Sequence, residues 1–262
     1  MNRKHDYIAV FDSGVGGISV LRELRKALPG ERFLYFGDSA NAPYGTRSHE
    51  EVLRLTEAAV QRLLPRGLKA LVIACNTATA AAINELRALH PDLIIIGIEP
   101  AVKLAASRCP GGPIGVMATQ VTLQEERFED LLCRVGAPEV IRIPAPGLVE
   151  LVEQGKGNSR EAEDLLRPIL EPLRGKLPVL VLGCTHYPFA AQAIARILGP
   201  ETQLLDGSEG TARETRRRLE AAGLLSDGEG GVILEDSLPR EDILTLAKEL
   251  LEAPEVSAPG AR

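Results

Sequence analysis

Residues 68–82 read LKALVIACNTATAAA, and residues 177–191 read LPVLVLGCTHYPFAA. The two stretches align without a gap, so that Cys75 in the first matches Cys184 in the second, 109 positions later. In each, an apolar run ends at the cysteine, and small or hydrogen-bonding residues follow. This pattern is typical of a buried strand that leads into a helix. The match therefore indicates an internal repeat.

A looser match lies upstream of each cysteine. Residues 8–24, IAVFDSGVGGISVLREL, align with residues 114–132, IGVMATQVTLQEERFEDLL, which places Ser13 over Thr119, 106 positions later. The two offsets are nearly equal. We therefore expect two similar lobes, each of which ends one strand in a cysteine and another in a hydroxyl residue.

Further apolar runs recur between stretches of helical period. Nine runs are predicted as strands: YIAVFD, RFLYFG, ALVIAC, LIIIGI, PIGVMA, EVIRIP, VLVLGC, TQLLDG and GVILED. Strands that are apolar on both faces and separated by helix-length segments indicate parallel sheets covered by helices. The predicted fold is α/β, with two similar doubly wound parallel-sheet domains that face a shared cleft.

The segments between the strands have helical spacing. SHEEVLRLTEAAVQRLLPRG begins at Ser48 and SREAEDLLRPILEPLRG begins at Ser159, and serine is a favoured N-cap. We place residues 1–98 and 207–262 in the first domain and residues 99–206 in the second. The tail, about residues 253–262, is small and polar with two prolines, and we expect it to be disordered.

Composition excludes several classes of function. The 262 residues carry a formal net charge of −6 with no long basic block, which argues against nucleic acid or an anionic membrane as a partner. No apolar stretch approaches the roughly 20 residues that span a bilayer. The four cysteines show no CxxC spacing, so we expect free thiols in a cytoplasmic protein.

A cysteine that closes a buried strand is often only a small core side chain. The neighbours of Cys75 and Cys184 favour a chemical role, because each thiol precedes polar residues at a predicted helix N-terminus, where thiol pKa values fall. Cys109 and Cys133 lack this setting and are interpreted as structural. Because the carboxyl ends of parallel strands line ligand sites, the cleft should have a thiol on each wall.

Two acid/base groups on opposite walls can remove a proton from one face of a carbon and return one to the other face. For the Cα of an amino acid, this exchange inverts the stereocentre. The carbanion beside the substrate carboxylate needs preorganised donors, for which Ser13, Asn76, Thr77 and Thr185 are candidates. Asp12 could orient or deprotonate Cys75, and His186 could do the same for Cys184.

The glycine-rich bend of residues 10–21, VFDSGVGGISVL, allows other interpretations. Backbone amides at such a bend could bind phosphate, although GVGG matches neither of the standard nucleotide-binding patterns. Asp12 could simply cap the helix that follows. We favour a bend that faces the reacting centre and the polar groups of the substrate.

Six stretches together resemble the glutamate racemases of the aspartate/glutamate racemase superfamily. They are FDSGVGG, YFGDSANAPYGTRS, ACNTATA, VMATQVT, LVELVEQG and GCTHYPF, spread from residue 11 to residue 189. The resemblance implies two α/β domains around a buried site, a two-base mechanism and a role in making D-glutamate for peptidoglycan. It also implies no metal, no other cofactor, and a homodimer.

The resemblance assigns the catalytic cysteines to Cys75 and Cys184, with Asp12 and His186 beside them. The substrate contacts that it implies fall on Asp12, Ser13, Tyr44, Gly45, Asn76, Thr77, Thr185 and His186. Thr119 and Thr122 match a threonine segment of the family, and Glu153 matches an acid of the family. By resemblance alone, Cys75 would take the proton from the D-isomer and Cys184 from the L-isomer.

The sequence departs from the family pattern in two places. Ser39 and Asn41 stand where threonine and arginine are expected, and the N-terminus is short, so we expect no activation by a peptidoglycan precursor. Three alternatives stay open: an aspartate racemase of the same superfamily, an amino-acid-binding protein without catalysis, and a zinc site on Cys75, Cys184 and His186.

Overall fold

The strands of the structure form two parallel sheets. This computed structural model describes residues 3–136, 139–238 and 240–254. Its strands are β1 (Tyr7–Asp12), β2 (Arg32–Gly37), β3 (Leu68–Ile73), β4 (Ile94–Gly97), β5 (Ile114–Ala118), β6 (Val140–Pro144), β7 (Val179–Leu182), β8 (Gln203–Asp206) and β9 (Gly231–Asp236). Each predicted apolar run overlaps one of these strands, although β3 begins two residues before its run, at Leu68, and every pairing is parallel.

The two sheets have equivalent strand orders. The first runs β4-β3-β1-β2-β9, and the second, read from its far edge, runs β8-β7-β5-β6. The strand before Cys75 thus corresponds to the strand before Cys184, and β1 corresponds to β5. The predicted fold of two similar parallel-sheet units is confirmed. Strand β9 is an addition that extends the first sheet.

The helices are α1 (Ile18–Ala27), α2 (His49–Leu63), α3 (Asn76–Leu89), α4 (Val102–Arg108), α5 (Gln120–Gln124), α6 (Glu126–Val135), α7 (Leu148–Glu153), α8 (Arg160–Leu170), α9 (Ala191–Leu198), α10 (Ser208–Ala221) and α11 (Glu241–Glu252). Ser48 caps α2 by accepting a hydrogen bond from Glu51 N, and Ser159 caps α8 by accepting one from Ala162 N. Both predicted serine caps are confirmed.

Buried apolar side chains cover both faces of each sheet. Helices α10 and α11 pack against α1, so the chain returns to the first sheet after β8. The domain boundaries at residues 98/99 and 206/207 stay a proposal with which this packing is compatible. In the predicted tail, residues 255–262 lie outside the described residues.

Among the residues that the structure describes, we find no helix of the length and apolarity that a membrane span requires.

Candidate active site

A cavity of about 480 Å³ lies between the carboxyl ends of the two sheets. Cys75 and Cys184 both line it, and each is less than a tenth exposed. The predicted site residues on its wall are Ser13, Tyr44, Gly45, Cys75, Asn76, Thr77, Thr119, Thr122, Cys184, Thr185 and His186. Asp12 and Glu153 are absent from this wall. Both still contact the site, as described below.

Cys75 lies at the turn between β3 and α3. Its Sγ accepts a hydrogen bond from Ala78 N at 3.4 Å, which makes the thiol the N-cap of α3, and it lies 3.7 Å from Ser13 Oγ. The sequence predicts a lowered thiol pKa at such a position, and this prediction is wrong for Cys75. Burial and the charge of Asp12 raise its pKa to about 12 and outweigh the effect of its hydrogen bonds with Ala78 and Ser13.

This raised pKa predicts that Cys75 resists alkylation. A thiol with a pKa of about 12 is roughly 0.01% thiolate at pH 8, so iodoacetamide should modify Cys75 slowly, at a rate that still climbs above pH 10. Peptide mass spectrometry after timed alkylation measures this rate. Cys133 is exposed and serves as the internal reference. Equal alkylation rates for the two cysteines at pH 8 would contradict the prediction.

Cys184 follows β7 and has a different partner. His186 Nδ1 lies 3.7 Å from Cys184 Sγ, and its Nε2 lies 2.6 Å from Glu153 Oε1 on α7. His186 is buried, and the Glu153 side chain is 19% exposed. The three side chains form a row of thiol, imidazole and carboxylate that ends at the cavity.

The imidazole and the carboxylate hold each other in their charged forms. Burial alone would lower the pKa of His186, but the contacts with Cys184 and Glu153 raise it well above its usual range. Burial alone would raise the pKa of Glu153, but His186 and Val15 N lower it overall. We therefore expect an imidazolium beside Cys184 at neutral pH.

These shifts predict how stability depends on pH. The contribution of His186 to the free energy of unfolding is fully present below its ordinary pKa of 6.5 and is lost as the pH rises through its raised pKa. The stability from Glu153 is present above its ordinary pKa of 4.5 and is lost as the pH falls through its lowered pKa. Glu153→Gln should lower the free energy of unfolding by about 1–3 kcal/mol at pH 6, and by less as the pH falls below 4.5.

Urea unfolding of Glu153→Gln and the parent at pH 6 and pH 3 tests this expectation. Glu150→Gln is the matched control, because Glu150 lies on the same helix and is exposed. The same loss for Glu153→Gln at both pH values would contradict the charged pair.

The glycine-rich bend contacts Glu153 and His186 from the opposite lobe. Val15 N donates to Glu153 Oε1 at 2.9 Å. A Cβ added at Gly14 would overlap the Glu153 carboxylate, and one added at Gly16 would overlap the His186 ring. The bend therefore needs glycine so that these side chains can approach its backbone. A phosphate bound at this bend would need the Val15 amide, which already donates to the Glu153 carboxylate.

Asp12 lies beneath the bend, fully buried. Its Oδ1 accepts from Gly14 N at 3.1 Å and its Oδ2 accepts from Thr185 Oγ1 at 2.9 Å, so it joins the two lobes. Burial raises its pKa to about 6, although His186, Thr185 and Gly14 act in the opposite direction. Helix α1 begins after Gly17 without a side-chain cap, so the alternative in which Asp12 caps this helix is wrong.

Three threonine hydroxyls meet where the lobes face each other. Thr77 Oγ1 lies 3.2 Å from Thr119 Oγ1 and 3.3 Å from Thr122 Oγ1, and the last two lie 2.9 Å apart. Beside them, Asn76 is 7% exposed and its Oδ1 has no hydrogen-bond partner. A buried unpartnered amide oxygen on a cavity wall is suited to accept a hydrogen bond from a ligand.

Tyr44 and Gly45 form the rim on the first lobe. Tyr44 Oη donates to Asp38 Oδ2 at 2.7 Å, and a Cβ on Gly45 would lie 2.7 Å from Thr119 Cβ. Ser39 and Asn41, which depart from the family pattern, are accommodated here. Asn41 Nδ2 also donates to Asp38, and Ser39 Oγ donates to Asp236 Oδ2 at 2.7 Å.

Sequence reasoning missed part of the wall. Gln120, Val121, Val149, Glu150 and the 144–147 turn also line the cavity. The 144–147 turn could have been found from the sequence, because it follows the predicted strand that ends at Pro144. The carboxyl end of that strand lies at the same sheet edge as the carboxyl end of β5. In the described part of the chain, no three His, Cys, Asp or Glu side chains are arranged to hold a metal ion.

Comparison with known proteins gives the family. Residues 11–215 match the model of the Asp/Glu/Hydantoin racemase family. The chain belongs to this family. It is 48% identical over 249 residues to a glutamate racemase of Clostridium novyi, an alignment that covers 93% of this chain and 96% of that relative.

Solved racemases share the whole architecture. A glutamate racemase of Bacillus anthracis superposes with a TM-score of 0.85 at 33% identity and covers 95% of this chain and 94% of its own. A glutamate racemase of Escherichia coli, solved in complex with L-glutamate and an activator, superposes with a TM-score of 0.81 at 31% identity. That match covers 94% of this chain and 92% of the other.

Proposed function

We propose that this racemase interconverts L- and D-glutamate without a cofactor, by proton transfer between Cα and the thiols of Cys75 and Cys184. One observation carries the proposal: the two cysteines lie on opposite lobes of one cavity, each after an equivalent strand. Family membership and the glutamate racemases among the relatives support the reaction and the substrate.

In the proposed reaction, a thiolate on one wall removes the Cα proton, and a thiol on the other wall gives its proton to the opposite face. The products are the inverted amino acid and a site whose thiol and thiolate have changed places. Running the steps backwards describes the other direction. The ammonium group of the substrate brings a positive charge to the cavity, which would lower the pKa of Cys75 toward the working range.

The side chains around the thiols take supporting roles. We propose that Asp12 and Ser13 serve the Cys75 side and that His186 and Glu153 serve the Cys184 side. Asn76, Thr77, Thr119, Thr122 and Thr185, with the rim of Tyr44 and Gly45, would bind the polar groups of glutamate. The D-glutamate formed would supply peptidoglycan synthesis. The cytoplasmic location and the homodimer expected from the sequence belong to the same proposal.

The test incubates the reduced protein with L-glutamate in deuterium oxide, without added cofactor. We expect the Cα proton signal and the optical rotation to be lost together. Aspartate is run alongside. If aspartate turns over faster than glutamate, aspartate is the substrate. If glutamate binds but neither signal changes, the amino-acid-binding alternative replaces the racemase.

A further inference from the structure

Tyr35 is a buried tyrosine among the apolar side chains of β2. It is 2% exposed, and the neighbouring positions on the strand are Phe33, Leu34 and Phe36. A buried phenol hydroxyl requires a hydrogen-bond partner. Tyr35 Oη finds it in the glycine-rich bend, where it donates to the carbonyl oxygen of Gly14 at 2.5 Å.

That carbonyl belongs to the peptide unit whose N–H binds Glu153. The carbonyl of Gly14 and the N–H of Val15 are the two polar ends of one planar group, so the direction of one fixes the direction of the other. Tyr35 holds the carbonyl end, and Glu153 Oε1 accepts from the N–H end at 2.9 Å. Without a side chain on Gly14, the peptide would otherwise rotate easily.

We propose that Tyr35 is a positioning residue for the Cys184 side of the site and acts through this single peptide unit. The inference rests on the proposed function. The contacts form one row: Tyr35 Oη, the Gly14–Val15 peptide, the Glu153 carboxylate, the His186 imidazole and the Cys184 thiol. Hydrogen bonds in such a row polarise one another, so the phenol strengthens the hydrogen bond from the Val15 amide to Glu153.

The row reaches the Cys184 side directly. Among the described residues, Tyr35 makes no hydrogen bond with Cys75 Sγ, whose hydrogen-bond partners are Ser13 and Ala78. Loss of the Tyr35 hydroxyl should therefore slow proton transfer at Cys184 more than at Cys75. This asymmetry distinguishes a positioning role from a general contribution to the stability of β2.

Tyr35→Phe tests the proposal because it removes the hydroxyl and keeps the ring. We expect kcat/KM for racemisation to fall about tenfold, the usual effect of one buried hydrogen bond. With Cα-deuterated L- and D-glutamate, the isotope effect on kcat/KM should rise for the isomer that Cys184 deprotonates and fall for the other. Tyr7→Phe, in β1 of the same sheet, is the matched control and should leave both isotope effects unchanged.

A double-mutant cycle with Glu153→Gln provides the second readout. Because Tyr35 acts through Glu153, the effect of Tyr35→Phe should shrink to less than about twofold in the Glu153→Gln protein. Additive effects together with unchanged isotope effects would overturn the proposal and leave Tyr35 a structural side chain.

Amide exchange separates this inference from the proposed function, because it needs no activity. In Tyr35→Phe, the Val15 amide should exchange at least about tenfold faster than in the parent, whereas the Val10 amide in β1 should not change. An unchanged Val15 rate would refute the relay. A protein that exchanges as expected but racemises nothing would refute only the reaction.

Gly37→Ala gives the same test if Tyr35→Phe fails to fold. A Cβ on Gly37 would lie 2.5 Å from Asp236 Oδ2, a side-chain atom that can rotate away, and 2.8 Å from the Gly14 carbonyl oxygen, so the methyl presses on that peptide while the Tyr35 side chain itself is unchanged. It should produce the same shift in the two isotope effects. Symmetric effects in a folded Gly37→Ala protein would count against the relay.

Discussion

Replacement of either Cys75 or Cys184 by serine is expected to lower the rate of glutamate racemisation by about 1,000-fold or more. A serine hydroxyl is a far weaker acid than a thiol, so it neither forms the base nor returns a proton at a useful rate. A positioned general acid or base contributes about 10²–10⁴-fold to a rate. In the proposed mechanism two such groups act in sequence, so the loss of either one should block inversion.

The two variants should differ in what remains. With one thiol left, the protein can still remove the Cα proton of one isomer and return a deuteron to the same face. Each variant should therefore exchange the Cα proton of a single isomer in deuterium oxide, with retention, and the two variants should act on opposite isomers. Proton NMR with polarimetry on L- and D-glutamate records both properties.

The control for these variants is Cys133→Ser, since Cys133 is exposed and lies outside the cavity wall. It should racemise glutamate at the parent rate. If Cys75→Ser or Cys184→Ser keeps more than a tenth of the parent rate, the two-thiol mechanism is wrong. The same data assign a face to each cysteine, which so far rests on resemblance alone.

Much of the fold could be predicted from the sequence because its signals are local. The apolar run 179–184 marks β7, and Ser48 and Ser159 mark helix starts within a few residues of the backbone that they cap. The repeat extends this local information to the whole molecule, because two copies of one pattern imply two similar lobes. It also places Cys75 and Cys184 at equivalent strand ends.

The contacts across the lobes could not be predicted in this way. Val15 and Glu153 are 138 residues apart, and no local pattern pairs the amide of one with the carboxylate of the other. Asp12 was predicted in the site, but the sequence does not show that it lies beneath the bend. The pKa of Cys75 was predicted in the wrong direction, since burial and the charge of Asp12 depend on distant parts of the chain.

The bend accounts for a sequence feature that first suggested phosphate. Its glycines leave space for neighbouring side chains, and two of its amides donate hydrogen bonds to carboxylates of the chain. Gly14 N donates to Asp12, and Val15 N donates to Glu153. The same backbone therefore orients an acid from each lobe. Asp12 is hydrogen-bonded to Thr185 and Glu153 to His186, and these are the two residues that follow Cys184. A short bend in the first lobe thus orients the side chains beside Cys184 on the second lobe.

Gly16→Ala is the second substitution for which we expect a large loss of activity. The added methyl would overlap His186 Nδ1 and lie 2.5 Å from Cε1 and 2.7 Å from Cγ. A rigid buried ring cannot bend away from three such contacts, so it must move as a whole. Nδ1 is also the atom 3.7 Å from Cys184 Sγ. Because a misplacement of about 1 Å at a reacting group can cost about 100-fold in rate, kcat should fall by about that factor.

The loss should be smaller for Gly14→Ala, because its methyl meets the end of the flexible Glu153 side chain, which can rotate. Gly210→Ala is the matched control. Gly210 is exposed on α10 and its added Cβ would lie 4.0 Å from the nearest atom, so alanine should keep kcat and raise stability by about 0.5–1 kcal/mol. Steady-state kinetics with thermal unfolding separates the two effects. A folded Gly16→Ala protein with the parent kcat would show that proton transfer at Cys184 does not depend on the position of the His186 ring.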